Sequence, residues 1–144
     1  MTYKRYIQTW LRRSERMVVA LSVTTIFSAC AVVSQDERFK SECERFTLEN
    51  CPVRKDRCQV LDSITYDVST RSRHSWFSLS GELDSISVFT EDVKDNLRES
   101  LIENLRMSIG QKKYKDAGVT FVYHYCSETT EKEFFSIEVS KEDY

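Results

Sequence analysis

An apolar run of thirteen residues, Met17–Ala29, lies between a basic segment and Cys30. It has the length of a signal-peptide core and is short for a membrane-spanning helix, which needs about 20 apolar residues. Residues 1–16 carry five basic side chains and one acidic one, whereas the chain after Cys30 is polar and charged. This order predicts an export signal, so that the residues that form the folded domain lie outside the cytoplasm.

The segment Phe27-Ser28-Ala29-Cys30 resembles the lipobox of bacterial lipoproteins, in which two small residues precede a cysteine. The resemblance implies that residues 1–29 are a cleaved signal peptide and that Cys30 becomes the lipidated N-terminus. Since Ala31 rather than Asp follows the cysteine, it also implies an outer-membrane anchor with the domain facing the periplasm. Several acyl chains together anchor firmly, because each buried methylene contributes about 0.8 kcal/mol.

An uncleaved anchor is the alternative interpretation of the same region. Residues 17–33 would then form a single span at the lower limit of membrane-spanning length. The basic residues before this segment and Asp36-Glu37 after it would again leave the bulk of the chain outside the cytoplasm. Both interpretations place residues 36–144 in the cell envelope.

The charge distribution bears on the class of partner. Of the 21 basic and 23 acidic residues, residues 1–29 hold five and one, so residues 30–144 hold 16 and 22, a balance of about -6. An acidic domain has no electrostatic attraction for nucleic acid. We therefore expect no nucleic-acid partner.

Four cysteines follow Cys30, and an even number in an oxidising compartment predicts two disulfides with three conceivable pairings. A link from Cys126 to one upstream cysteine would hold the N-terminal region on the sheet. Zinc is the competing interpretation, but the chain has no Cys-x-x-Cys motif and no histidine near the upstream group. No metal or cofactor is expected. The disulfide candidates are Cys43, Cys51, Cys58 and Cys126.

The periodicity of apolar residues divides the domain into predicted helices and strands. Residues 34–48 predict a short amphipathic helix, which Pro52 ends. Alternation over residues 64–68 predicts a strand, residues 71–74 a turn, and residues 76–79 a second strand. Residues 85–89 predict a short strand or an extended lead-in.

The strongest pattern predicts a long helix over residues 91–109. Thr90 is a capping residue, and leucines, isoleucines and a valine recur every three or four residues. Lysines after Gly110 complement the C-terminal end of the helix dipole. Residues 119–126 and 133–140, joined by a polar turn, predict a hairpin.

The order strand-strand-helix-strand-strand predicts an α+β fold: a small antiparallel sheet with one long helix packed on one face, a short N-terminal helix, and disulfides that stabilise it. The predicted organisation is a signal peptide at 1–29, a lipidated tether with the short helix at 30–50, and an α+β periplasmic domain at 51–144.

No catalytic constellation is predicted. His74 adjoins Ser72 and Ser75, but neighbouring strand residues point to opposite faces, and no glycine-flanked nucleophile turn surrounds either serine. His124 lies within a predicted strand, where a hydrogen-bonded structural histidine is expected. We therefore expect a protein that is not an enzyme.

In size and element order, the domain loosely resembles small pilotin-type lipoproteins, which carry a secretin subunit to the outer membrane. The resemblance implies a protein-binding or envelope-assembly role, with a groove beside the long helix that accepts a partner helix. An alternative is an inhibitor or immunity protein that blocks a toxic or lytic enzyme. In that case, residues 71–75 or 127–132 would be the contacting loop. The sequence leaves the partner and the oligomeric state open.

Overall fold

The computed structural model describes residues 33–144. The predicted signal peptide, the lipobox and Cys30 lie outside them. No helix in the described part is long and apolar enough to cross a membrane. The elements are α1 (Gln35–Asn50), β1 (Val53–Arg54), β2 (Gln59–Asp67), β3 (Ser72–Leu79), α2 (Glu91–Met107), α3 (Lys112–Asp116), β4 (Thr120–Ser127) and β5 (Glu133–Val139). Two short 3₁₀ turns, Gly81–Leu83 and Ile86–Val88, precede α2.

One mixed sheet holds five strands in the order β1-β2-β3-β4-β5. β3 and β4 run parallel, and the other neighbouring pairs are antiparallel. The predicted wholly antiparallel sheet is therefore wrong at its centre. Parallel neighbours need a long crossover, which the segment containing α2 and α3 provides.

The helices lie on one face of the sheet, with α1 over β2 and α2 over β5. Between them and the sheet lies an aromatic-rich core. Phe39 of α1 contacts Tyr66 and Tyr114, while Phe121 of β4 contacts Tyr114 and packs edge-on against Tyr144. The sheet's opposite face has no helix on it among residues 33–144.

Both predicted helices are confirmed. Thr90 caps α2 by accepting a hydrogen bond from the Val93 amide at 3.4 Å. At the other end, the Lys115 ammonium donates to the carbonyls of Leu105 and Arg106, at 2.7 and 2.9 Å. The helix ends at Met107, earlier than predicted, and leaves Ile109 88% exposed.

Two local predictions are wrong. Residues 85–89 form neither a strand nor a continuous extended segment, since a 3₁₀ turn occupies Ile86–Val88. The predicted turn at residues 71–74 contains only Arg71, with a left-handed φ of 53°. Strand β3 begins at the next residue, and pairing with β2 and β4 on both sides makes it the central strand.

The predicted disulfides are also wrong, because Cys43, Cys51, Cys58 and Cys126 are all free thiols. Cys58 precedes β2 and Cys126 lies in β4, so β3 separates them. Two strand spacings are about 9.5 Å, beyond the reach of a disulfide. Burial, followed by the negative charges of Glu133 and Asp62, also raises the pKa of the Cys126 thiol.

Thr47 completes the exposed edge of β2. β1 pairs only with Val60 and Leu61, and the Thr47 hydroxyl of α1 bonds to the backbone of Ile64 farther along. It donates to the Ile64 carbonyl and accepts from the Ile64 amide, both at 2.8 Å. The side chain therefore replaces the missing part of the neighbouring strand and fixes α1 to the sheet.

Thr47→Val is expected to lower the free energy of unfolding by about 1–3 kcal/mol, because it leaves two partly buried backbone groups without partners. Chemical denaturation of the wild type and the variant measures the difference. Thr47→Ser retains the hydroxyl and serves as the matched control, with a smaller expected loss. Equal losses for Val and Ser would contradict this role of the hydroxyl.

Candidate functional site

A cleft of about 750 Å³ opens between α1 and α2 on the helix-bearing face. Its floor is formed by β2, β3 and β4, which are all interior strands of the sheet. Its volume falls within the range of ligand-binding clefts in proteins. The cleft exists because the two helices lie on the same face of the sheet but near its opposite edges, one over β2 and the other over β5. They leave the middle strand uncovered.

The cleft lining combines ten apolar or aromatic side chains with twelve polar or charged ones. Phe46 of α1 is 38% exposed, although it follows the buried Phe39 and Cys43 at helical spacing. Across from it, Leu97 and Leu101 of α2 are only partly buried. The apolar lining residues are Phe46, Leu61, Ile64, Phe77, Leu97, Leu101, Leu105, Tyr114, Tyr123 and Tyr125.

One side of the cleft is closed by a contact between α1 and α3. Glu42 forms an ion pair with Lys113 and accepts a hydrogen bond from the Tyr114 hydroxyl at 3.2 Å. The hydrogen bond from Lys113 lowers the pKa of the Glu42 carboxyl. Burial, followed by the neighbouring Cys43, raises the pKa of Tyr114. Glu42 is therefore ionised and already paired with Lys113, and the Tyr114 hydroxyl retains its proton.

Polar atoms without partners also line the cleft. Three buried side-chain atoms in residues 33–144 make no hydrogen bond, and two belong to cleft residues: Arg73 Nε and Gln111 Oε1. Arg73 is on β3, the central strand. The register of β3 and the position of Arg73 above the Tyr114 ring, 5.5 Å from its centroid, turn the side chain towards the helices.

The opposite face of the sheet carries a second polar cluster, formed by side chains of β3, β4 and β5. The Ser72 hydroxyl is 2.8 Å from His74 Nε2, His74 Nδ1 is 2.8 Å from His124 Nε2, and His124 Nδ1 is 3.1 Å from the Glu133 carboxylate. The Trp76 ring stacks on His124, with centroids 3.8 Å apart. Parallel pairing of β3 and β4 brings the two histidines together.

The carboxylate at one end of this hydrogen-bond series determines which atom donates in each hydrogen bond. A carboxylate oxygen accepts, so the contact with Glu133 assigns a proton to His124 Nδ1, and His124 Nε2 then accepts from the N–H at His74 Nδ1. His74 Nε2 then accepts from Ser72. Protonating both rings would set two N–H groups against each other. Burial, followed by the neighbouring His124, lowers the pKa of His74.

This arrangement predicts that the domain loses stability in mild acid. The folded protein holds the pKa of His74 below its ordinary value of 6.5. The unfolded chain therefore binds more protons, and the free energy of unfolding falls as the pH drops below about 6.5 and through the folded-state pKa. His74→Gln is expected to flatten this slope between pH 7 and pH 5 in thermal unfolding. A wild-type profile that is flat over this range would contradict the assignment.

Of the two loops predicted as contacting loops of an inhibitor, only one is a loop in the structure. Residues 71–75 are not a free loop, because Arg71 pairs with Asp36 at 3.2 Å and the rest belongs to β3. Residues 127–132 do form the turn between β4 and β5, and the Thr129 hydroxyl donates to Asp84 at 2.5 Å. No group of three or more His, Cys, Asp or Glu side chains among the described residues is placed to hold a metal ion.

Comparison with known proteins identifies the family of this chain. The family described as "Domain of unknown function (DUF8479)" matches residues 34–135, which include the cleft and the histidine cluster. The chain belongs to this family. No curated protein matches the sequence significantly.

Two solved structures share the fold of this DUF8479 member. A predicted secreted protein from Pseudomonas aeruginosa has a TM-score of 0.61 and 12% sequence identity, with 75% of this chain and 94% of that one covered. The type II secretion system pilotin AspS from Vibrio cholerae has a TM-score of 0.55 and 10% identity, with coverages of 76% and 91%. The resemblance to a pilotin is thus confirmed for the fold alone.

Proposed function

We propose that the protein is a membrane-anchored periplasmic lipoprotein that acts as a protein-binding or envelope-assembly module in a pilotin-like or accessory role. A helical segment of the partner docks in the cleft between α1 and α2. The observation that carries this proposal is the cleft itself, whose apolar side chains are left partly uncovered at the centre of the helix layer.

The geometry of the floor favours a helix as the docked segment. The floor consists of side chains from β2, β3 and β4. Strands β3 and β4 pair on both sides, and the edge of β2 is occupied by β1 and, at Ile64, by the Thr47 hydroxyl. An added strand would find no free sheet edge there, whereas a helix satisfies its own backbone hydrogen bonds and presents side chains. A docked helix would complete a layer that already contains α1 and α2.

The fold neighbours support the location and the kind of partner. One is a predicted secreted protein and the other a pilotin of a secretion system. An anchor at Cys30 is consistent with both, since α1 begins at Gln35, five residues after the cysteine. The proposal includes no catalytic step; in support, Ser72, the serine bonded to a histidine, is only 5% exposed.

Photocross-linking in living cells tests the proposal. Benzoylphenylalanine replaces Leu101, which lines the cleft, or Glu103, which is exposed on the same helix and does not line it. We expect position 101 to cross-link to one short amphipathic segment of one envelope protein, and position 103 to give no such product. Equal labelling from the two positions would contradict docking in the cleft.

A further inference from the structure

We infer that the docked segment carries an acidic side chain on its apolar face, and that this carboxylate pairs with Arg73 on the floor of the cleft. The inference rests on the proposed function and names the chemistry of the partner. It makes Arg73 the residue that selects the partner, while the surrounding apolar side chains supply contact area.

Arg73 has few hydrogen-bond partners in the free protein. Its Nε is buried and makes no hydrogen bond, and an NH group reaches only the Ser75 hydroxyl, at 3.4 Å. The guanidinium also lies over the Tyr114 ring, which supplies a cation–π contact. A guanidinium has five N–H donors, and among the described residues only one of them makes a hydrogen bond.

No acidic side chain of residues 33–144 forms an ion pair with Arg73. Glu42, an acidic residue of the cleft lining, already pairs with Lys113 and accepts from Tyr114. The other acidic lining residue, Glu49, is exposed on α1. Within residues 33–144, Arg73 therefore has no counter-ion, and an acidic side chain of a docked segment would supply one.

The charge of the whole cleft agrees with an anionic group. Its lining holds four basic residues, Arg45, Lys55, Arg73 and Lys113, against the two acidic ones. The cleft is thus basic within a domain that carries a net negative charge. A positive, partly enclosed surface on an acidic protein attracts negatively charged segments and repels most of the protein's own surface.

The pairing also explains how the cleft would reject wrong partners. A purely apolar helix would cover Arg73 and leave a buried, unpaired charge, which is strongly unfavourable. A helix with a suitably placed Glu or Asp would form a paired, hydrogen-bonded contact with the planar guanidinium. Lysine cannot reproduce this fork, so the identity of the residue matters as well as its charge.

A displayed library of amphipathic helical peptides, randomised at the apolar positions, supplies the probe, and the target is the full lipidated chain in detergent. We expect the enriched peptides to share one Glu or Asp on the apolar face. Changing that residue to Gln is expected to weaken binding to the wild type about 30-fold, and to change binding to Arg73→Gln little. Arg73→Glu should instead enrich peptides with Lys at this position, and Arg73→Lys should keep a weaker preference for acid.

The outcomes separate the inference from the proposed function. If peptides bind, lose binding with Leu101→Arg, and show no preference for acid, docking stands and the role of Arg73 is wrong. If no enriched peptide is sensitive to Leu101→Arg, the docking proposal itself fails. Thermal unfolding of each Arg73 variant confirms that it is folded, and loss of acid preference in a stable Arg73→Gln supports the pairing.

Discussion

Arginine in place of Leu101 is expected to weaken binding of the partner segment by at least about 100-fold. Leu101 is a partly buried residue of α2 that lines the cleft opposite Phe46. The substitution would place a further guanidinium in a surface that already contains Arg73, and docking would then have to desolvate it without a counter-ion. Titration of the cross-linked segment, followed by fluorescence anisotropy, measures the loss.

Ser100→Arg is the matched control, because it adds the same charge to the neighbouring, exposed position of the same helix. We expect this variant to bind within about twofold of the wild type, since an exposed charge outside an interface contributes little. Circular dichroism establishes that both variants fold. Similar weakening by both substitutions would show that charge on α2, rather than access to the cleft, governs binding.

Removing the thiol at position 30 is expected to move the protein from the membrane fraction to the soluble periplasmic fraction or to leave it as an unprocessed precursor. If Cys30 carries the lipid, Cys30→Ala abolishes incorporation of labelled fatty acid. The wild type should incorporate the label, and its mass should show loss of residues 1–29 and gain of acyl groups. The effect is large because several acyl chains contribute most of the membrane affinity.

Cys58→Ala is the control for this experiment, since it removes a different free thiol and should leave the label in place. An unlabelled wild-type protein that retains residues 1–29 and stays in the membrane would contradict lipidation. That result would support the alternative single-span anchor at residues 17–33. The proposed cleft and its partner would then be tested on an anchored chain rather than a lipidated one.

Local features of the fold were predictable because they follow from short-range patterns. The period of α2, its Thr90 cap and the lysine that reaches its last carbonyls are local signals and are found, although the helix ends two residues earlier than predicted. The alternation of Ile64 and Tyr66 likewise placed both residues in the core. The predicted strand near residue 86 was wrong because a short apolar run does not distinguish a strand from a 3₁₀ turn.

Strand pairing and the sites were not predictable, because they depend on long-range geometry. The direction of β4 beside β3 depends on where α2 returns the chain to the sheet, and no local pattern encodes this return. Consequently, His74 and His124, fifty residues apart in sequence, were interpreted separately although they share a hydrogen bond. The place of Arg73 in the cleft was missed for the same reason, since the predicted turn at residues 71–74 hid its position on the central strand.

The most direct test of the central claim, that the cleft holds the partner segment, is methyl NMR of the full chain in detergent. The leucine and valine methyl groups are labelled, and the segment recovered by the cross-link at position 101 is titrated in. We predict that Leu97 and Leu101 shift, while Leu48, 85% exposed on α1, and Val122, on the sheet face without helices, do not. Shifts concentrated at Leu48 or Val122, with the cleft methyls unchanged, would contradict the account.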